Sequence, residues 1–524
     1  MTKEKIAVLD TSEIDELLVL CEEVIRATPD GARRFIEPAP GVLAKAKSKQ
    51  HNLVFGRRGS GKSSLLRKAA ADLTIDRRPI AFIDMETFKG HTYPDVLISV
   101  LLKSFHEFEK WLTTAATTPA TKSSFWKKLF GTKPIRAPFK KDATDTLLGD
   151  LRALIKDLES ELHAPESAET TKTTSANKDL TLGGSVGAGG NAGPVSGKIE
   201  TSAKKSSTTS TKTEQKYISK KVEYLHQHII RFQHFFSSMA KLSDGSAFLF
   251  LDDLYHIRRK DQAQVIDYFH RIAKGNDLWV KVGTIKHRSE WYQHSDPPIG
   301  MKLGDDAREI NLDVSLEKFE TLREFLKKIL ENLLREKTNY SVKDILNDTA
   351  LDRLIIASGG VIRDFIGIFS NSIGVARNRG AQHHRGPKVG AEDVNMASGD
   401  YDGNKREEFK LDTDEDRKEL EDAFSQLCAF CTTKSKSNIF LISQGLDKEK
   451  RDAIDQLIDL RLIHPVKSRV TLKKGAAGEL FEAYMLDLSQ YVAARKVHDF
   501  HMIDLSVGNK DEQMRRSSLI YTPK

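Results

Sequence analysis

Gly56-Arg57-Arg58-Gly59-Ser60-Gly61-Lys62-Ser63 decides the reading of this chain. It carries the pattern G-x-x-x-x-G-K-S. The apolar run Asn52-Leu53-Val54-Phe55 precedes it, and the helix-forming run Ser64-Leu65-Leu66-Arg67-Lys68-Ala69-Ala70-Ala71 comes after it. A buried strand, a tight glycine loop and a helix N-terminus together make an anion site, because backbone N–H groups and the helix dipole point at one place. Gly56, Gly59, Ser60, Gly61 and Ser64 are expected to cradle phosphates, with Lys62 reaching the β- and γ-phosphates and the Ser63 hydroxyl binding Mg²⁺. The ligand this implies is a nucleoside triphosphate with magnesium.

A nucleotide-hydrolysing site also needs carboxylates opposite that loop. Ala247-Phe248-Leu249-Phe250-Leu251 is continuously apolar, as a strand covered on both faces must be, and ends in Asp252-Asp253. Asp252 is expected to hold Mg²⁺, and Asp253 to orient and deprotonate the attacking water. The second carboxylate is Asp, one methylene shorter than Glu, which predicts slow turnover suited to a switch. Ile80-Ala81-Phe82-Ile83, Leu278-Trp279-Val280-Lys281-Val282 and Glu309-Ile310-Asn311-Leu312 read as further strands alternating with helices. The expected fold is α/β, a doubly wound parallel sheet.

No apolar run approaches the roughly 20 residues of a membrane span. The start, Met1-Thr2-Lys3-Glu4-Lys5, has no apolar signal-peptide core behind it. Three cysteines suit a reducing compartment, so the expectation is a cytoplasmic chain. Cys428 and Cys431 form a C-x-x-C with no further nearby thiol or strand before it, and both read as packing residues. The net charge of +8 permits an acidic partner without demanding one.

Between the second and third core strands the composition turns Ser/Thr/Gly/Lys-rich, as in Ser206-Ser207-Thr208-Thr209-Ser210-Thr211. Such a stretch buries too little apolar area to offset chain entropy and reads as an insertion over 115–218. One helical island stands out over Thr144 to Leu162, with Leu147, Leu151, Leu154 and Leu158 on one side. Alternating apolar residues from Leu180 to Ile199, around Gly189-Gly190-Asn191-Ala192-Gly193, leave two readings open, disorder or a β-hairpin that forms on assembly. Phe125-Trp126-Lys127-Lys128-Leu129-Phe130 suits a nucleic-acid backbone, a membrane surface, or a solvated linker docked by its aromatics.

At the end of the fourth strand, Thr284 and Lys286 are the candidates for a side chain aimed at the γ-phosphate. Arg308 is either an arginine finger for a neighbouring subunit or a surface arginine. Ser358-Gly359-Gly360-Val361-Ile362-Arg363-Asp364 heads a helix, and a cation in a first turn opposes the helix dipole by about 0.3–1 kcal/mol. Arg363 therefore wants an anion, Asp364 or a phosphate.

Loop, Asp-Asp strand, Thr-x-Lys strand end and Gly-Gly-x-x-Arg-Asp segment together resemble the AAA+ ATPases, most of all the origin-recognition initiator branch and the related STAND signalling ATPases. The resemblance covers roughly residues 31–114 and 219–400. It implies that Lys62 and Ser63 form the Walker A pair, Asp252 and Asp253 Walker B, Lys286 sensor 1, and Arg363 the sensor 2 arginine of a helical lid. Ala391-Glu392-Asp393-Val394 resembles the last lid helix of initiators. In that branch, insertions between the second and third strands often contact DNA.

The expected organisation is an N-terminal helix (1–30), an ATPase core (31–114 and 219–316) split by the insertion, a helical lid (317–400), a linker (401–412), a winged-helix-like domain (413–497) and a tail (498–524). In the C-terminal module, Leu462-Ile463-His464-Pro465-Val466 and Arg469-Val470-Thr471-Leu472 are expected to form a hairpin with a basic wing of Lys467, Arg469, Lys473 and Lys474. Its second helix is expected to expose Asp452, Asp455 and Asp459, which is unfavourable for major-groove docking. The leading reading is an Mg·ATP-dependent switch that closes its lid, assembles into a homo-oligomer and signals to a protein partner, by resemblance in prokaryotic stress or antiviral responses. Two rivals stand beside it. One is a DNA-binding initiator or loader contacting nucleic acid through the insertion or the wing. The other is a scaffold that binds ATP without hydrolysing it.

Overall fold

The computed structural model describes residues 8–26, 30–75, 77–117, 139–163, 199–243, 245–380, 386–412, 417–472, 479–492, 497–506 and 508–523. The basic aromatic segment over 122–138, the alternating stretch over 180–198, and Lys473 and Lys474 lie outside these residues.

In chain order, α1 (Ser12–Val24) leads to β1 (His51–Phe55), then α2 (Lys62–Ile75), β2 (Ile80–Asp84) and α3 (Asp95–Thr117). Next come α4 (Lys141–His163), α5 (Ile199–Ser243), β3 (Ala247–Asp252), α6 (Arg259–Ala273) and β4 (Leu278–Thr284). A small ribbon, β5 (Tyr292–Gln293) with β6 (Ile299–Gly300), precedes β7 (Ala307–Asn311). The five long strands form one parallel sheet in the order β2-β3-β4-β1-β7.

Alternation within the strands shows why both faces are covered. Leu249 and Leu251 of β3 enter the apolar cluster that holds α3, α4 and α6 residues. Phe248 and Phe250 enter the opposite cluster with Leu65, Leu66 and Ala69 of α2. A strand buried on both faces must be apolar throughout, as the sequence shows. Lys281 of β4 departs from that pattern, fully buried, with Nζ donating to Ser48 O, Gln50 O and Asn52 Oδ1 at 2.6–2.7 Å. The expected helical island is α4, whose Leu147, Leu151, Leu154 and Leu158 pack into the core under α3 and α5.

After β7 the chain is helical: α7 (Phe319–Lys337), α8 (Asp348–Ser358), α9 (Ile362–Gly380) and α10 (Ala391–Asp412). α1 packs with them through Ile14, Leu17, Leu20 and Cys21. Burial pushes the Cys21 thiol up to about 12, the behaviour of a packing residue, and Cys431 is buried too. Among the described residues no cluster of potential metal ligands occurs. No described helix is long and apolar enough to cross a membrane.

The C-terminal module comprises α11 (Arg417–Ala429), β8 (Ile439–Ser443), α12 (Lys448–Asp459), β9 (Ile463–Val470) and β10 (Phe481–Leu486), with an antiparallel sheet in the order β8-β10-β9. Three expectations change here. The hairpin across Lys467-Ser468 is instead one continuous strand, β9, paired with β10. That dipeptide offers no residue suited to the positive φ of a tight turn, so the chain runs on. The linker is helix: α10 continues to Asp412, and Asp402 and Lys405 are buried. Its polar residues are satisfied by the C-terminal module, since Gln490 Nε2 donates to Asp402 Oδ1 at 2.9 Å and Lys405 Nζ pairs with Asp487 at 2.6 Å. Finally, α12 leaves Asp452 exposed as expected but turns Asp455 and Asp459 inward. Asp455 pairs with His287 at 3.2 Å, and Asp459, buried, lies 3.9 Å from Arg288. Lid and C-terminal module share one continuous apolar cluster.

Candidate phosphate-binding cleft

Parallel strands deliver their carboxyl ends to one edge of the sheet, so the loop after β1 and the carboxylates after β3 meet there. The glycine loop does what its sequence requires. Gly59 has φ +82°, and a Cβ on it would lie 2.7 Å from the Cβ of Arg363. The Arg363 N–H donates to Gly59 O at 3.3 Å. The first turn of α9 therefore rests directly on the loop, which only a residue without a side chain permits.

Lys62 opens α2 and is buried, 5% exposed, with Nζ donating to Gly56 O at 2.9 Å and Arg57 O at 3.2 Å. Burial lowers its pKa, while the Asp253 and Asp252 carboxylates pull it back. Ser63 hydrogen-bonds to the carboxylate of Asp252. Burial, then repulsion from Asp253, pushes the Asp252 carboxyl up to about 7.

β4 lies between β1 and β3, so the Asp252 carboxylate must pass over it to reach Ser63. It does so at Gly283, where a Cβ would sit 2.6 Å from Asp252 Oδ1 and 2.8 Å from Leu66 Cδ1. Gly283→Ala is expected to displace that carboxylate, at about 1–3 kcal/mol of overpacking. Magnesium-dependent nucleotide binding should weaken more than magnesium-free binding, as titration calorimetry with and without the metal would show.

Asp253 sits at φ 55°, ψ 46°, a left-handed conformation that Asp tolerates better than most residues. Its N–H donates to Asp252 Oδ1 at 3.1 Å, and its own carboxylate caps no turn. A cleft of about 280 Å³ joins these parts, close to the lower end of ligand pockets, about 300–1,000 Å³. Gly59, Ser60, Gly61, Lys62, Ser63 and Ser64 line one side, and Asp253 and Arg363 border it. Phe35, Ile36, Ile329 and Leu333 give it an apolar wall. Ser60 Oγ and Arg363 Nε, both buried, have no hydrogen-bond partner among the described residues.

Lys286 departs from expectation. Its Nζ donates to Glu309 Oε1 at 3.1 Å and lies 5.4 Å from the Phe55 ring, and the side chain does not line the cleft. Thr284 is buried against Ser289, and the turn after it, Lys286–Arg288, throws Lys286 toward β7 and His287 and Arg288 toward α12. Arg308 is exposed on the edge strand β7. Gly56 begins the loop but does not line the cleft. Sequence reasoning missed Glu86, Tyr255 and His256, which do. The signal available for them was their position just after β2 and β3.

No family model matches the chain, and no curated protein matches it. Among solved structures it is similar to the Aeropyrum pernix Orc1 protein in complex with DNA, at 13% identity and a TM-score of 0.34, over 91% of this chain and 89% of that one. A likeness of that degree carries no argument about function.

Proposed function

We propose that the chain is an Mg·ATP-binding ATPase that acts as a slow nucleotide-dependent switch. One observation carries this reading: phosphate loop, strand-end carboxylate and an arginine from the helical lid border a single cleft with an apolar wall. The apolar wall suits a purine base, and the buried Ser60 Oγ and Arg363 Nε, unpartnered among the described residues, suit phosphate oxygens. Ser63 and Asp252 supply the oxygen donors that magnesium takes. Magnesium there would neutralise charge developing on the phosphates. Lys62 binds the β- and γ-phosphates, Asp253 faces the attacking water, and Arg363 brings the lid to the γ-phosphate.

Because Arg363 reaches the site from the lid, its effect should depend on the terminal phosphate. Arg363→Gln is expected to weaken ATP binding by about tenfold, as the loss of one charged hydrogen bond does, while ADP affinity changes little. Calorimetry with each nucleotide tests this, and equal losses for ATP and ADP would count against it.

We further propose ATP-dependent self-association and a protein partner as the output. Mass analysis of the native chain and of Lys62→Ala, each with ATP and with ADP, tests this, and an unchanged mass in every case would oppose it. The initiator rival would contact nucleic acid through the insertion or the wing, and in this structure Lys467 Nζ of the wing strand β9 is paired with Asp511 at 2.8 Å.

A further inference from the structure

We propose that Glu86 is the residue that takes the proton from the attacking water, with Asp253 orienting that water. The proposal rests on the ATPase reading and goes beyond it. Asp84 of β2 stands in register with Asp252 of β3, so the residues beyond them leave the sheet side by side. β2 ends in a short turn, Met85–Phe88, and β3 in another, Leu254–His256. The Asp84 carboxylate caps the first turn by accepting from the Glu86 N–H at 3.0 Å. That hydrogen bond fixes the backbone from which the Glu86 side chain extends.

Glu86, Asp253, Tyr255 and His256 all line the cleft that Lys62 and Ser63 line. Asp253 has the shorter side chain, and its backbone is pinned by its own N–H to Asp252 Oδ1. Glu86 is a methylene longer, and among the described residues no hydrogen bond or ion pair engages its carboxylate. His256 stands close enough for its charge to be felt. Burial lowers its pKa, and the Glu86 and Asp253 carboxylates oppose that shift.

In the step itself, the water oxygen forms a bond to the γ-phosphorus. The bond from that phosphorus to the bridging oxygen breaks, and its electron pair stays on the β-phosphate of ADP. The water proton passes to Glu86 and from there to solvent as inorganic phosphate leaves.

The test compares the full-length native chain with Glu86→Gln, Glu86→Asp and Asp253→Asn. Mg·ATP binding is read by calorimetry, phosphate release by steady-state assay, folding by thermal unfolding, and retained nucleotide by chromatography after gel filtration. Glu86 is exposed, so its variants should unfold where the native chain does. Glu86→Gln is expected to bind Mg·ATP with near-native affinity, to release phosphate about 100-fold or more slowly, and to emerge carrying ATP where the native chain carries ADP. Glu86→Asp should recover part of the rate. Near-native turnover by Glu86→Gln overturns the proposal, as does a native chain that binds Mg·ATP without hydrolysing it. A native chain that fails to bind Mg·ATP overturns the underlying ATPase reading as well.

Discussion

Lys62→Ala is expected to weaken Mg·ATP binding by about 100-fold or more, the largest effect of any single change in the cleft. In the structure the ammonium is buried and, among the described residues, donates to the loop carbonyls of Gly56 and Arg57, at 2.9 and 3.2 Å. The Asp252 and Asp253 carboxylates influence it electrostatically without an ion-pair contact. A buried cation held this way gains most from a phosphate. Charge-assisted hydrogen bonds are worth about 1.5–3 kcal/mol each, and each 1.4 kcal/mol is tenfold in affinity. The substitution also removes two hydrogen bonds within the loop, so thermal unfolding should accompany the calorimetry. A native melting curve together with native affinity would remove the basis of the proposed function.

The second large effect is expected away from the nucleotide. Asp364 comes after Arg363 on α9 and points the other way, into a buried network with the C-terminal module. Its carboxylate pairs with Arg461 and lies 3.5 Å from Lys405 Nζ. Lys405 in turn pairs with Asp487 at 2.6 Å, and His464 Nε2 lies 2.8 Å from the same carboxylate. All these side chains are nearly inaccessible to water. Burial alone would raise the Asp487 carboxyl, but Lys405 and His464 hold it well below the usual carboxylate range. Nearby, Arg57 of the phosphate loop donates through Nη2 to Gly359 O at 3.0 Å and through its N–H to Asp313 at 2.9 Å.

Removing one partner of a buried ion pair strands the other charge, at about 3–5 kcal/mol. Asp364→Ala is therefore expected to lower the first thermal transition markedly and to expose α12 to proteolysis. The double change Asp364→Leu with Arg461→Met removes both charges and should recover much of the loss, since apolar groups of similar volume often replace a buried pair without penalty. A native-like melting curve for Asp364→Ala would show that the C-terminal module is not anchored through α9.

The parts of this protein legible in its sequence are those whose physics is local. β1 and β3 announce themselves because strands covered on both faces must be apolar throughout. The glycine loop announces itself because Gly59 needs a positive φ and a close neighbour that no other residue allows. α4 was legible within a polar insertion because its leucines repeat at helical spacing. Lys286 was not, because sequence gives the end of a strand but not the turn after it. That turn aims Lys286 at Glu309 and leaves the cleft to Glu86, Tyr255 and His256.

The same limit misplaced the polar residues of the C-terminal half. Asp402 and Lys405 fall in the expected linker, and Asp459 was expected to be exposed, as charged side chains usually are. Each is buried, because another segment, distant in sequence, supplies its partner. The strands, the glycine loop and the paired aspartates were readable along the chain, because their requirements are met within a few neighbouring residues. Which charges face the cleft, and which lock the C-terminal module to the lid, followed from the fold, because a charge is buried only where a distant part of the chain brings its counterpart.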